Sequence, residues 1–303
     1  MKQWLRRLSL TLSVFLVFAT TVLAQNFSTS ITTPYRVIPN ITYLTANNWE
    51  AKLDVYSRAD VTTPQPTVMF IHGGGWTGGS KESMVFELMP YMEMGWNVVN
   101  VEYRVATVSL APAAVEDCLC ALRWVIRNAK QYGFDTNKLV VSGRSAGGHL
   151  ALTTGMIPGS AGLDRQCPGT EELKVAAIVD WFGITDVADL LDGQNMKTYA
   201  VQWMGSMPNR LEIAKRLSPL TYVRPGLPPI ISIQGDADPT VPYNHSVRLQ
   251  EALKKAGVDG ELVTIPGGKH GGFTRAENQR AYAVIKAFLT KHGLITASSS
   301  NQN

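Results

Sequence analysis

The stretch that most constrains the fold of this chain is a short apolar run that leads through a tight turn into a helix. Residues 139–141 are typical of a buried strand, and a helical pattern begins at about Ala146. Between them, residues 143–147 have the spacing Gly-x-Ser-x-Gly, with Ser145 at the centre. Small flanking residues let the strand and helix backbones pass close together, and the turn lifts the Ser145 hydroxyl beyond the strand end. The helix N-terminus behind that hydroxyl favours negative charge.

Strand-like apolar runs alternate with helical patterns along the chain, which predicts a mostly parallel sheet with helices on both faces. The fold class is therefore α/β. Alternating residues over 41–56 predict a two-strand hairpin before this sheet, and residues 25–40 are expected to form a loosely held arm. Residues 112–132 predict one long amphipathic helix that ends at Gly133.

Four polar side chains come directly after predicted strands: His72, Ser145, Asp238 and His270. In open parallel sheets, ligands bind beyond the carboxyl ends of the strands. We therefore expect these side chains to lie along one edge of the sheet and to form a single site.

The chain is expected to consist of a leader, one domain and a tail. Residues 1–24 combine a basic start, an apolar core and small residues before a cleavage site after Ala24, which is typical of a signal peptide. A membrane anchor is the alternative, but the apolar core is short for a span. Residues 25–295 are the predicted α/β domain, with a small cap insertion over about 184–222, and residues 296–303 are expected to be disordered.

The charge balance argues against polyanionic partners. The formal net charge of +4 comes from 28 basic and 24 acidic residues, and the leader holds Lys2, Arg6 and Arg7. Because the rest of the chain is close to neutral, we expect no nucleic-acid partner and no anionic membrane partner. No membrane span is expected in the mature protein, and the oligomeric state stays open. With 45% hydrophobic residues, 303 residues can bury one large α/β core.

The three cysteines leave two pairings open. Cys118 and Cys120 are two positions apart on a predicted helix, so they face different sides and should not pair with each other. Cys167 lies in a loop and can pair with either of them if the protein is exported. Three scattered cysteines do not make a metal site, and we expect neither a metal nor a cofactor.

A serine hydroxyl needs a base to remove its proton and an acid to orient that base. His270 is the predicted base because a glycine-rich loop after the last strand can carry its imidazole over the sheet edge, and His245 is the alternative. Asp238 is the predicted acid because it lies farther past its strand than Asp236, which is expected to shape the turn. Ser145 would be the nucleophile.

An attack by Ser145 creates an oxyanion that needs preorganised hydrogen-bond donors. The backbone N–H of Ala146 is one predicted donor, and the glycine-rich loop over residues 72–75 is expected to supply others, because glycine lets a backbone approach the substrate closely. The spacing of dinucleotide and phosphate loops is missing here.

Several aromatic residues fall on or near the predicted site loops. Trp76, Trp181, Phe182, Trp203 and Tyr243 can form an aromatic wall for an acyl group or a sugar. Of these we predict that Trp76, Trp181, Trp203 and Tyr243 contact the substrate. Ordinary hydrophobic packing explains each of them equally well.

Together, residues 72–76 (His-Gly-Gly-Gly-Trp), 143–148 (Gly-Arg-Ser-Ala-Gly-Gly) and 235–239 (Gly-Asp-Ala-Asp-Pro), with His270, resemble the α/β-hydrolase esterases. The resemblance covers nearly the whole predicted domain. It implies the α/β-hydrolase fold, and it implies Gly74 and Gly75 as the oxyanion donors beside Ala146.

Two groups of esterases share these motifs. The hormone-sensitive-lipase-like carboxylesterases usually carry an acidic residue where this chain has Arg144, and they have a longer N-terminal helical cap. Residues 72–81 and 143–150 look more like the bacterial feruloyl and acetyl-xylan esterases.

These observations predict a secreted or periplasmic serine esterase that works through an acyl-enzyme. The resemblance implies a small-molecule or polysaccharide-linked ester as substrate, with acetyl or feruloyl groups on plant polysaccharide. The alternatives are a general short-chain carboxylesterase, an amidase or arylformamidase, and a non-catalytic binding protein on the same fold. A binding protein would be expected to have lost a member of the triad, and Ser145, Asp238 and His270 are all retained.

Overall fold

The computed structural model describes residues 34–295, which form one eight-stranded sheet with helices packed on both faces. The strands are β1 (Tyr35–Ala46), β2 (Trp49–Arg58), β3 (Gln65–Ile71), β4 (Asn97–Val101), β5 (Phe134–Arg144), β6 (Ala177–Trp181), β7 (Ile230–Gly235) and β8 (Gly260–Ile265). The α-helices are α1 (Val85–Glu93), α2 (Ala113–Arg127), α3 (Ala129–Tyr132), α4 (Ala146–Met156), α5 (Thr198–Met204), α6 (Arg210–Arg216), α7 (Asn244–Lys255) and α8 (Arg275–Lys291). The predicted signal peptide and the predicted disordered tail lie outside the described residues.

The strand order across the sheet is β1-β2-β4-β3-β5-β6-β7-β8. β1 and β2 pair antiparallel, β2 pairs antiparallel with β4, and every pairing from β4 to β8 is parallel. The prediction of a mostly parallel α/β sheet is therefore confirmed. The carboxyl ends of β3, β5, β7 and β8 lie along one edge of the sheet, because these strands run parallel.

The hairpin is longer than predicted, because β1 begins at Tyr35, inside the region expected to be a loose arm. The register of β1 against β2 is interrupted between Ile38 and Ile41, where Asn40 has a φ of 58°. The Asp54 carboxylate accepts a hydrogen bond of 2.7 Å from the Asn40 N–H and holds this bulge from β2. Alternation fails at a bulge, which is why the pattern predicted only the second half of the strand.

The long helix predicted over 112–132 is two helices, α2 and α3, separated at Asn128. The Asn128 side chain donates a 2.8 Å hydrogen bond to the carbonyl of Trp124, and such local bonds compete with helix continuation. Gly133 ends α3 in the left-handed conformation, as predicted.

The core lies on both faces of the sheet. On β3, Met69 and Ile71 point into a cluster that includes residues of α2, α4 and α7. Val68 and Phe70 point into the opposite cluster, which includes residues of α1 and α8. The two-residue alternation of a strand buried on both faces explains why its sequence reads as continuously apolar. These two layers hold the strand ends rigidly.

Residues 184–222, predicted as the cap, contain α5, α6 and three short 3-10 turns. The two ends of the segment meet, since the Leu220 N–H donates to the Thr185 carbonyl at 3.1 Å. Trp203 and Met204 are fully buried in the same core cluster as α2 and α4. The segment therefore packs firmly on the domain.

The structure selects one of the two open cysteine pairings. Cys120 on α2 forms a disulfide with Cys167, and Cys118 is a free, buried thiol. The disulfide ties the irregular loop before β6 to α2. Across residues 34–295, helices that combine enough length and apolarity to cross a membrane are absent.

Candidate active site

Ser145 sits in a strained turn between β5 and α4, with φ 58° and ψ −120°. The turn is possible because the next helical turn packs directly against β3. A Cβ added to Gly147 would lie only 2.1 Å from the carbonyl oxygen of Ile71. No side chain fits in that gap, so the motif needs glycine there, and the close approach holds the serine at the strand end.

The structure brings Ser145, His270 and Asp238 together. His270 Nε2 lies 2.8 Å from Ser145 Oγ, and His270 Nδ1 lies 2.7 Å from Asp238 Oδ2. With Nδ1–H donating to the carboxylate, Nε2 is left unprotonated and accepts the serine hydroxyl proton. The Asp238 side chain is fully buried. Its other oxygen accepts the backbone N–H groups of Thr240 and Val241 at 2.7 and 3.0 Å.

Asp236, the alternative acid, bonds the loop after β8 and not His270. Its Oδ1 accepts a 2.6 Å hydrogen bond from the Gly267 N–H, and the Ala237 N–H donates to the Gly268 carbonyl at 3.0 Å. Asp236 therefore ties the loop that carries the acid to the loop that carries His270. The sequence-based expectation that it shapes the turn agrees with this position.

His245, the alternative base, is buried and lies away from Ser145. Its Nδ1 accepts the Thr185 N–H at 3.1 Å, and its Nε2 lies 3.1 Å from a carboxylate oxygen of Asp189. Burial lowers the pKa of His245. Its contacts hold the start of α7 against the cap.

The predicted oxyanion donors lie beside the nucleophile. Gly74 and Gly75 line the same cleft as Ser145, and within residues 34–295 their N–H groups donate to no other acceptor. Ala146 is the first residue of α4, so its N–H also lacks an acceptor in the helix. Gly74 has a φ of 121°, and a Cβ there would lie 2.1 Å from the Gly78 carbonyl oxygen. Only glycine permits this loop conformation.

The site opens into a cleft of about 390 Å³, a volume suited to a small ligand. Besides Ser145, His270 and the glycine loops, its walls are formed by Met84, Glu87, Arg144, Phe182, Tyr199 and Thr240. A second cavity of about 520 Å³ lies between α7 and the start of β8, at the opposite edge of the sheet from the triad. Clusters of three or more His, Cys, Asp or Glu residues able to hold a metal ion are absent from the described part of the chain.

The predicted aromatic wall requires correction. Trp76, Trp181 and Trp203 are at most 1% exposed, and none of them lines the cleft. Trp76 and Trp203 stack on each other, with ring centroids 4.2 Å apart. Tyr243 is also outside the cleft wall, and its hydroxyl bonds Thr264 Oγ1 at 2.6 Å.

Two aromatic residues line the cleft: Phe182, which the sequence placed among the possible wall residues, and Tyr199, which it did not. Phe182 follows Trp181 and packs edge-on to His270 at 4.8 Å between centroids. Tyr199 lies one helical turn before Trp203, and its side chain covers Gly75. The sequence indicated these elements but not which of their aromatic side chains line the cleft, and Phe182 does so while only 3% exposed.

A buried carboxylate supports the turn that carries Phe182. Asp180 accepts hydrogen bonds of 2.9 Å from the Gly183 N–H and from Ser232 Oγ. Both of these donors are uncharged. Burial raises the pKa of Asp180 to about 7. Its hydrogen bonds go to Gly183 and Ser232, whereas those of His270 go to Asp238 and Ser145, so Asp180 supports the loop.

His149 is a buried histidine on α4 whose hydrogen bonds connect it to the glycine loop. Its Nδ1 accepts a 3.1 Å hydrogen bond from the Trp76 indole N–H, and its Nε2–H donates to the Leu217 carbonyl at 2.7 Å. Because Trp76 directly follows Gly75, His149 joins α4, the glycine loop and the cap in one buried network. Burial lowers the pKa of His149 to about 4, which keeps its imidazole neutral.

The comparisons with known proteins agree with this geometry. The BD-FAE family matches residues 53–253. The chain is similar to Esterase LipQ of Mycobacterium tuberculosis, with 29% identity over 81% of this chain and 60% of LipQ. The chain thus spans about half to three-fifths of the length of such relatives.

The chain matches two solved structures over nearly the full length of each. The propionate-bound esterase 2 of the Planctomycetes species Thermogutta terrifontis is 31% identical, with a TM-score of 0.71 over 87% of this chain and 96% of that one. A truncated carbohydrate esterase from gut microbiota is 26% identical, with a TM-score of 0.73 over 86% of this chain and 98% of that one.

The depressed pKa of His149 predicts how stability depends on pH. The unfolded chain takes up a proton near pH 6.5, whereas the folded chain resists it to about pH 4. The contribution of His149 to stability is therefore complete above pH 6.5 and decreases as the pH falls to 4, by about 3 kcal/mol. Urea unfolding of the wild type and a His149→Gln variant between pH 4 and 7.5 measures this. The stability advantage of the wild type should shrink as the pH falls; a constant difference would show that His149 titrates normally in the folded protein.

Proposed function

The chain belongs to the BD-FAE family and has the α/β-hydrolase fold, and we propose that it is an exported serine hydrolase of carboxylic esters on plant polysaccharide. The observation that carries the proposal is the hydrogen-bonded chain from Asp238 through His270 to Ser145, beside unpaired N–H groups in an open cleft. The names of its relatives, which are esterases, support the ester hydrolase activity.

The reaction follows from the distances. His270 Nε2 takes the hydroxyl proton as Ser145 Oγ attacks the ester carbonyl carbon, and Asp238 stabilises the imidazolium that forms. The carbonyl oxygen becomes an oxyanion, for which the N–H groups of Gly74, Gly75 and Ala146 are the proposed donors. Loss of one such donor typically costs about 3–4 kcal/mol of barrier.

His270 then gives its proton to the leaving alcohol oxygen, and the acyl group stays on Ser145. Water enters, loses a proton to His270 and attacks the acyl carbon. Collapse of the second tetrahedral intermediate releases the carboxylic acid and returns the proton to Ser145.

The acyl group is proposed to be acetyl or feruloyl. Two observations support a substrate of this kind: the cleft of about 390 Å³ has both aromatic and charged walls, and one structural relative is described as a carbohydrate esterase. General short-chain carboxylesterase activity is the second candidate, and the propionate bound to the Thermogutta terrifontis esterase favours it.

Hydrolysis of a substrate panel tests the activity and separates the candidates. The panel comprises p-nitrophenyl acetate, methyl ferulate, acetylated xylan and an aryl formamide. We expect the wild type to hydrolyse the esters, with kcat/KM highest for the polysaccharide-derived ester, and Ser145→Ala to lose activity by a factor on the order of 10³ or more. Equal activity of wild type and Ser145→Ala would refute the mechanism. A preference for the formamide would refute the ester hydrolase assignment.

Export is proposed from the leader pattern of residues 1–24, and the Cys120–Cys167 disulfide supports it, because disulfides persist in oxidising compartments. When the full chain is expressed in a bacterial host, the protein should appear in the periplasm or medium with Gln25 at its N-terminus. N-terminal sequencing and fractionation measure this. An intact N-terminus on protein retained in the cytoplasm would contradict export.

A further inference from the structure

One ion pair in the cleft wall has no role in the chemistry described above. Arg144, which directly precedes the nucleophile, pairs with Glu87 on α1, and both side chains line the cleft. The Arg144 side chain is 13% exposed and the Glu87 side chain 32%. The pair is therefore largely fixed by the protein but is still reached from the cleft.

The position of Arg144 is set by aromatic rings. Its guanidinium carbon lies 5.2 Å from the centroid of the Trp181 ring and 5.1 Å from that of Phe182, which are distances of cation–π contact. The ion pair and the rings hold the guanidinium in one place. A guanidinium carries five N–H donors, and Glu87 is its only carboxylate partner within residues 34–295. Donors therefore remain for a ligand.

The side of the cleft that Arg144 occupies is the side on which the alcohol half of an ester leaves. His270 must reach the leaving oxygen to protonate it, so the alcohol lies next to His270. Phe182 packs against His270, and Arg144 lies over Phe182. A Cβ added to Gly271, the neighbour of His270, would lie 3.6 Å from Arg144 Nη2.

Tyr199 gives another part of the cleft wall a different character. The Tyr199 hydroxyl already donates to the Thr240 carbonyl at 3.1 Å, so its ring is the part available to a substrate. Tyr199 also covers Gly75 of the proposed oxyanion loop. This wall suits the acyl half, whereas the wall with Arg144 and Glu87 offers hydrogen-bond donors and acceptors side by side.

We infer that the Arg144–Glu87 pair is the binding subsite for the alcohol half of the ester, and that it selects a neutral, hydroxyl-rich alcohol such as a sugar residue. The inference rests on the proposed function and adds the residues that make the choice. The pair carries no net charge. A carboxylate on the alcohol would be repelled by Glu87, and a cation on the alcohol would be repelled by Arg144. Hydroxyl groups can both donate to Glu87 and accept from Arg144.

The test compares three acetyl esters by kcat/KM: an acetylated methyl xyloside, p-nitrophenyl acetate and an acetylated methyl glucuronoside with a free carboxylate. Arg144→Met should lower the ratio of xyloside to aryl ester activity about tenfold or more, the usual effect of losing a hydrogen bond to a charged group. Glu87→Gln leaves Arg144 without its partner, so it should raise the ratio of glucuronoside to xyloside activity severalfold.

Glu93→Gln is the matched control, because Glu93 is an exposed carboxylate on the same helix and lies outside the cleft wall. Both ratios should stay at wild-type values in this control. Ratios that stay within twofold of wild type in Arg144→Met and Glu87→Gln would overturn the inference and leave the pair a structural clamp. Failure of the proposed function is distinguishable, because then the wild type and Ser145→Ala would hydrolyse p-nitrophenyl acetate equally.

Discussion

The site depends on one close approach between backbones. Gly147, in the first turn of α4, packs so tightly on the Ile71 carbonyl at the end of β3 that a Cβ has no room. This contact brings the helix N-terminus onto the sheet edge and holds Ser145 in a strained conformation with a φ of 58° and a ψ of −120°. The same contact places the nucleophile next to the glycine loop, because that loop begins where β3 ends. Backbone strain at Ser145 is stabilised by the packing of two buried elements.

The rest of the site is assembled on this edge by loops that are tied to each other. Asp236 joins the loop after β7 to the loop after β8, and so sets the distance between Asp238 and His270. On the other side, His149 joins the glycine loop to the cap through Trp76. The hydrogen bonds of His149 are buried and therefore costly to break, whereas the bond from the Gly267 N–H to Asp236 is exposed. The cleft is therefore organised before a substrate arrives, as catalysis by preorganised groups requires.

Much of this arrangement could be predicted from the sequence, because it depends on local patterns. A strand, a glycine turn and a helix in succession predicted the turn at Ser145, and placement after strand ends predicted that Asp238 and His270 would meet it. The burial of individual side chains, and contacts between elements far apart in the chain, could not be predicted in this way. Trp76 and Trp203 stack in the interior, whereas Tyr199 faces the cleft, and hydrophobic pattern does not separate exposed from buried aromatics.

Other features that escaped prediction join elements far apart in the chain. The partner of Arg144 is Glu87 on α1, and the choice of Cys120 over Cys118 as the disulfide partner of Cys167 depends on which side of α2 faces the loop. The early start of β1 could not be predicted, because the bulge at Asn40 interrupts the alternation of apolar and polar residues. In each case the missing information is a tertiary contact and not a local propensity.

The central claim is that Asp238, His270 and Ser145 act as one unit that makes Ser145 nucleophilic. Its most direct test is the rate at which diisopropyl fluorophosphate labels the protein, with the adduct mapped by peptide mass spectrometry, in wild type, Asp238→Asn and Asp236→Asn. We expect a single adduct on Ser145, formed at similar rates in wild type and Asp236→Asn and slower by a factor on the order of 10³–10⁴ in Asp238→Asn. An adduct on another residue, or equal slowing in both variants, would contradict it.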